Sequence, residues 1–456
     1  MKKQFLIFGS AILFTILFYD QELGLNLSVF ALLLVVTQLV MHPKLIHNKK
    51  ALVLAACVVA ASVSNAWLLS VVTVFTVVIT SFVFRYFVVD PQMKLISNAF
   101  NFVLSWPAFV VRFFKVDEWL DFKKDDSKKT IIKLFSYVVI PLVILSVFFG
   151  LYVSSSEWLS KWYNRYEWNI NGLIIFTILL GFYISFVFWH IKSFNFIKVI
   201  DKNLKFHFSR TEQTALKPTF NYIPVAFEMR SGVITLASLN AMLLFFIVVF
   251  NIENAQQSIQ HISEYSSRTH SQIYLIIVSV FLAMAVVLFF FKNTLNFIKN
   301  NRWLLQLTKI WIALNALLIC SAFYQNSVYI SSLGLTYKRL GVYLFLIICF
   351  VGLLYSYLKV QHKKTNFYLI DRMSWVLFYS LVGCSLFNWG NIMTHYNLQK
   401  DTADLNYLMY LSGNEKALID YYKEQNREIP EFLLNRIRYH EDLPLLSKQL
   451  YYSSIK

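Results

Sequence analysis

Eleven stretches of this chain come close to the length and composition that cross a bilayer, and no other feature limits its fold as much. They fall at roughly 5–19, 25–43, 51–67, 69–88, 131–152, 169–190, 229–251, 271–291, 303–323, 339–358 and 374–392. A helix rises 1.5 Å per residue, so about 20 apolar residues cover the roughly 30 Å of hydrocarbon in a membrane. Inside lipid, every backbone N–H and C=O has to be satisfied within the protein, which favours helices for runs this long. Composition agrees: 57% of the 456 residues are hydrophobic and 15% are charged, an apolar excess that a soluble core does not require. The reading is an all-α, polytopic helical membrane protein. About eleven transmembrane helices occupy residues 1–396, and a small helical tail occupies 397–456.

Two boundaries need argument. The first run is short and follows Lys2 and Lys3, as a signal peptide would, but no small-residue cleavage site follows Tyr19. Asp20–Gly24 leads directly into another apolar run, so a retained helical hairpin is expected. Residues 51–88 are too long for one helix, and Ser62 to Trp67 is the expected break.

Orientation follows from the basic residues. With the N-terminus inside, 29 of the 42 Lys and Arg fall in cytoplasmic segments and their flanks, and five fall in outer loops: Lys161, Arg165, Arg268, Lys338 and Arg339. That asymmetry places the N-terminus in the cytoplasm and, with eleven spans, the tail outside. The net charge of +17 is then largely topological: it meets the lipid bilayer, and no nucleic acid partner is expected. Eight of the 11 tryptophans sit at span ends or in short outer loops, as interfacial belt residues do.

Two inner connections are too long to be turns. Residues 90–130 and 191–228 interleave Phe and Val with Lys and Arg, and both read as interfacial helices. A re-entrant hairpin at 90–130 is the alternative. The tail alternates apolar and charged residues at helical spacing, broken by Gly413, Pro430 and Pro444, which gives three or four short amphipathic helices. It is small for an independent core and should pack on the outer loops or on a partner.

Catalytic signals are sparse. The chain contains no GxxxxGK[ST], GxGxxG, HExxH or GxSxG, and no cofactor is expected. Cys57, Cys320, Cys349 and Cys384 lie in apolar runs without metal-ligand spacing and read as small hydrophobes. Charged residues within the eleven runs lie only near their ends, Arg85, Lys133, Arg230 and Lys309 on the inner side and Arg339 on the outer, with none at mid-depth, which argues against ion-coupled transport. A weak polar cluster at the outer face, His261, Glu264 and His270, could share part of a helix, although a plain polar loop explains it as well and no metal is assigned.

The turn at Tyr324–Leu340 is the most purposeful element. Gly334 permits a positive φ, and Thr336 can cap the next helix. Lys338 and Arg339 place two cations where the outer face otherwise has few. They could contact an anionic lipid headgroup or a partner's carboxylate, or they could be snorkelling bases at a helix end. Asn240 and Asn315, inside spans, are expected to bond between helices.

Several stretches carry a resemblance. Glu264-Tyr265 with His270 and Tyr274-Leu275-Ile276, Trp311 with Asn315-Ala316-Leu317-Leu318, Gly334-Leu335-Thr336 with Arg339-Leu340-Gly341-Val342, and Asn388-Trp389 with Tyr396-Asn397 are similar to a family of uncharacterised bacterial multi-pass membrane proteins, catalogued as a domain of unknown function. The likeness is clearest over about 225–410, and its most specific piece is Gly-Leu-Thr…Arg. It implies an inner-membrane location and supplies no activity. Three functions remain in competition. The leading one is a non-catalytic structural or regulatory component that binds a membrane or periplasmic protein partner. The others are a transporter or lipid-handling protein using Lys338 and Arg339, and a membrane-embedded transferase.

Overall fold

A helix meets each of the eleven apolar runs in the computed structural model, which describes residues 3–115, 118–120, 137, 140–165, 172–214, 222–256, 262–292, 294–298, 301–400 and 403–455. Among the described residues there is no strand, only one isolated bridge between His207 and Lys364. Among the described residues, six helices are long and apolar enough to cross a membrane, and a seventh qualifies if one bent pair counts as a single span. The runs at 5–19 and 25–43 meet shorter helices, and those at 131–152 and 271–291 include residues or side chains outside the described set. Length and composition therefore support six or seven crossings, fewer than the eleven expected from hydropathy alone.

The chain divides into two compact units. The first comprises Met1–Met93, Ser97–Ile197 and His440–Ser453. Its main helices are α1 (Lys3–Phe18), α2 (Leu25–Met41), α3 (Lys49–Trp67) and α4 (Val71–Val89). They are followed by α5 (Leu95–Ser105), α6 (Phe109–Phe113), α7 (Ile140–Ser155), α8 (Glu157–Arg165) and α9 (Gly172–Trp189). The 51–88 stretch does break, at Leu68–Ser70, where the Ser70 hydroxyl accepts from Thr73 N and Thr73 Oγ1 accepts from Ser70 N. That reciprocal cap satisfies two of the backbone donors a new helix start leaves open.

α1 and α9 lie against each other closely because Gly181 has no side chain. A Cβ there would stand 2.7 Å from the Phe14 ring and 3.1 Å from the Ala11 carbonyl. Trp189 Nε1 donates to Ser10 Oγ at 2.7 Å further along the same contact. Phe14, Phe30, Phe82, Phe186 and Phe188 pack into the apolar core of this unit. Its last segment, α21 (Leu450–Ser453) and the residues before it, crosses the α1–α2 and α3–α4 turns. Lys448 O accepts from Leu25 N at 3.2 Å, Ser447 Oγ accepts from Glu22 N at 3.0 Å, and Gln449 Oε1 accepts from Leu69 N at 3.2 Å.

The second unit holds Lys94–Ile96, Lys198–Tyr439 and Ser454–Lys456. After α10 (Asn195–Asn203) and α11 (Arg210–Thr214) come the long helices α12 (Val225–Gln256), α13 (Ile262–Phe290), α14 (Arg302–Leu333), α15 (Tyr337–Gln361) and α16 (Asn366–Ser385). Leu236, Leu243, Val280, Val287, Leu318 and Leu346 fill the space between them. The run expected at 374–392 is not straight: α16 ends at Ser385, and α17 (Trp389–Leu398) restarts at an angle of 63°. Asn388 causes the restart, since its side chain caps Asn391 N. The tail forms α18 (Leu405–Met409), α19 (Glu415–Glu424) and α20 (Glu431–Asp442), and the division between the units falls within α20. In the second unit, Leu408, Leu411, Leu418, Tyr422 and Leu433 of the tail join Ile330, Leu335 and Met393 in one buried cluster.

Candidate functional site

The α14–α15 turn is where the site residues of the second unit gather. Four carbonyls at a helix C-terminus lack partners within the helix, and the aligned peptide dipoles make that end negative. At α14 this end is closed by side chains. Gly334 adopts a φ of 81°, a left-handed conformation that glycine takes without strain, and so turns the chain. Thr336 Oγ1 accepts from Arg339 N at 3.4 Å and starts α15. Arg339 then folds back: Nη1 donates to Leu333 O at 2.7 Å and to Gly334 O. Its guanidinium carbon lies 4.1 Å from the centre of the Tyr329 ring. Asn326 Nδ2 donates to Arg339 O at 3.2 Å.

Two residues of later segments complete the closure. Asn397 accepts from Leu335 N at 2.6 Å and donates to Leu335 O at 2.9 Å. Lys400 Nζ donates to Ile330 O at 2.7 Å and to Ser331 O. A Cβ on Gly334 would sit 2.7 Å from Asn397 Oδ1, so the glycine is required by close approach as well as by its φ. The tail is pinned in the same manner. Asn414 Nδ2 donates to Thr394 Oγ1 at 2.7 Å and to Leu408 O at 2.8 Å. Arg436 donates to Met409 O and Leu411 O, both at 2.8 Å, and pairs with the buried Glu415 carboxylate at 3.1 Å.

Of the residues singled out in the sequence, Gly334, Thr336 and Arg339 come together here. Arg339 is buried with Nη1 on backbone carbonyls, an inward arrangement, whereas Lys338 is exposed. Asn240 Nδ2 donates to Leu307 O at 3.0 Å and so joins α12 to α14. Asn315 differs from expectation: its Nδ2 bonds Trp311 O at 2.8 Å, one turn back in its own helix. His261 lies outside the described residues. Glu264 and His270 fall on α13, but their side chains are outside the described set too. Among the described residues, no three His, Cys, Asp or Glu side chains are grouped to hold a metal ion.

The same chemistry recurs at two buried cations that hydropathy presents as mere topology markers. Lys359, fully buried in α15, donates from Nζ to Phe291 O at 2.6 Å, just past the C-terminus of α13. In the first unit, Arg85 donates from Nε to Phe188 O and from Nη2 to Trp189 O, both at 3.1 Å, and closes the C-terminus of α9. In each case a helix end serves as the counter-charge. Lys359 and Lys400 carry no sequence motif that would have marked them, and Asn397 was marked only as part of the Tyr396-Asn397 resemblance.

A second polar group sits where α9 ends. Lys192 Nζ meets Glu118 Oε1 at 3.0 Å, and His190 Nε2 lies 3.6 Å from Glu118 Oε2. Arg112 Nη2 donates to Lys192 O at 2.6 Å while its guanidinium covers the Phe194 ring at 4.4 Å. The hydrogen bond from Lys192 holds the Glu118 carboxyl below its usual range. His190, one residue past the span, is pushed down to about 4 by burial first and then by Lys3, with Glu118 opposing. The imidazole is therefore neutral at pH 7.

The model of one protein family matches residues 8–421, the greater part of both units. The chain belongs to the family described as Domain of unknown function (DUF4153). This DUF4153 match takes in Arg85, Arg339, Lys359, Asn397 and Lys400, and it stops before Arg436 and the segment that crosses the turns of the first unit. No curated protein and no solved structure matches the chain.

Proposed function

We propose that this protein is a non-catalytic scaffold of the bacterial inner membrane, whose outer end presents an ordered platform to a membrane or periplasmic protein partner. The observation that carries the reading is the use of polar groups at the α14–α15 turn. Arg339, Asn397 and Lys400 bond backbone carbonyls and amides, which stiffens the turn, α17 and the tail into one surface. Tyr410, 85% exposed, and the exposed Phe432 stand on that surface as aromatic anchors of the kind that dominate protein interfaces.

About eleven crossings remain the proposed topology. α1 and α2, at 16 and 17 residues, measure about 24–26 Å, close to the hydrocarbon thickness. With the N-terminus in the cytoplasm, the α1–α2, α3–α4 and α14–α15 turns all face outward. Tail residues bond to all three, which supports an outer tail. An anionic headgroup at this end would meet Lys338, with Arg339 beneath it; the inward guanidinium favours the scaffold.

Replacing Tyr410 with a photo-crosslinking amino acid in intact membranes tests the reading. One protein adduct of fixed mass is expected, lost when Asn397→Ala loosens the platform and absent when the probe replaces Lys44. Adducts to lipid alone, or a protein adduct indifferent to Asn397→Ala, would discard the platform.

A further inference from the structure

Among the described residues, the cationic group at the end of α9 has one carboxylate, that of Glu118, against several cations. Lys192, Lys115 and Arg112 act on Glu118, and Lys3 and Arg112 act on His190. Among the described residues, His190 is 3% exposed, and neither ring nitrogen makes a close hydrogen bond: Glu118 Oε2 faces Nε2 from 3.6 Å. A neutral imidazole carries one N–H, and burying a donor unbonded costs free energy that an anion's oxygen would recover. Glu118 already shows what the group attracts: its two carboxylate oxygens lie 3.0 Å from Lys192 Nζ and 3.6 Å from His190 Nε2.

The surface beside this group is apolar and open. On α1, starting from Lys3, the residues Phe5, Phe8, Ile12 and Ile16 are exposed along one face. Gly9 lies on the same face, and a Cβ there would meet nothing within 4 Å. Phe8 continues inward to Trp119 and Phe182, with ring centres 6.3 and 5.7 Å away. A charged head beside an exposed apolar helix face matches an amphiphile.

We propose that Lys3, Arg112, Lys192 and His190 form a binding site for the phosphate of an anionic phospholipid, with its acyl chain along the open face of α1 and Glu118 as an internal competitor for the same cations. Lys192 and Arg112 supply charge, and the His190 N–H donates to a phosphate oxygen without itself being charged. Basic recesses between helix ends at a membrane surface hold lipid headgroups by this combination. The site shares no residue with the platform of the second unit, and it stands whether or not that platform binds a partner.

Native mass spectrometry of the detergent-purified full chain, titrated with phosphatidylglycerol or phosphatidylcholine, tests the assignment. Phosphatidylglycerol should bind in preference and resist displacement by inorganic phosphate. Arg112→Ala with Lys192→Ala should weaken that binding roughly tenfold or more, since each charge contributes about 1 kcal/mol. Glu118→Gln should strengthen it, a gain that a misfolded variant would not show. Lys44→Ala with Lys49→Ala removes two exposed cations elsewhere in the unit and should leave binding unchanged. Equal affinity for phosphatidylcholine, displacement by inorganic phosphate, weaker binding in Glu118→Gln, or equal losses in the two double variants would each overturn the assignment.

Discussion

The side-chain amide of Asn397 pairs with both backbone groups of Leu335, 62 residues earlier, accepting at 2.6 Å and donating at 2.9 Å. A carboxamide has the donor and acceptor of a peptide unit in the same relative placement, so it completes a turn that has no neighbouring strand. Both bonds are buried, where an unmade hydrogen bond is costly.

Asn397→Ala should therefore lower stability by about 2–4 kcal/mol, because it strands two buried backbone groups. Asn397→Asp keeps the acceptor, loses the donor and adds a charge, and should be no better tolerated. Thermal unfolding in detergent measures the loss. Limited proteolysis should locate new cleavage between residues 398 and 440.

Lys359 separates charge from packing. Lys359→Met retains the volume and removes a buried cation, while Asn296 Nδ2 still bonds Phe291 O at 2.8 Å, so a change within about 1 kcal/mol is expected. Lys359→Glu turns a negative charge toward the negative end of α13 and should destabilise by about 3 kcal/mol or more. Equal effects of the two substitutions, read by unfolding in detergent, would mean that the helix end is not the partner.

His190 should give stability a pH dependence. Its folded-state value, about 4, lies below the ordinary 6.5. Between these values the unfolded chain takes up the proton and the folded protein does not, so stability is complete above about 6.5 and falls as pH drops toward about 4. Lys3, Arg112 and Glu118 face this ring, and burial dominates. The loss should approach about 3 kcal/mol at pH 4, and His190→Asn should flatten this part of the profile.

Topology is testable by labelling. Tyr410→Cys should react with a membrane-impermeant maleimide on intact cells, whereas Lys44→Cys should react only after permeabilisation. The native cysteines are replaced first, because Cys320 is exposed. Labelling of both positions from one side would reverse the proposed arrangement of tail and N-terminus.

How far the sequence reaches can be judged element by element. That the 51–88 run breaks was legible because a continuous apolar run exceeds one bilayer, but its place was not: Ser62–Trp67 stays helical and the break falls at Leu68–Ser70. Gly334 and Thr336 were legible because a positive φ and an N-cap have strong residue preferences. The bend between α16 and α17 was not, because Asn388 inside an apolar run barely alters hydropathy. Arg339 was legible as a cation at a turn but not as one folded inward, since its choice between lipid, solvent and a helix carbonyl is made by geometry.

What the sequence alone determines is a set of apolar helices with basic connections, because transfer to lipid depends on composition summed over some twenty residues and is indifferent to partners. What only the tertiary structure decides is which cation meets which helix end. Arg85 at Phe188, Lys359 at Phe291 and Lys400 at Ile330 join positions far apart in the chain. A hydrogen bond is made or lost within a few tenths of an ångström, so no local pattern encodes it, and the packed helices alone bring the two groups together.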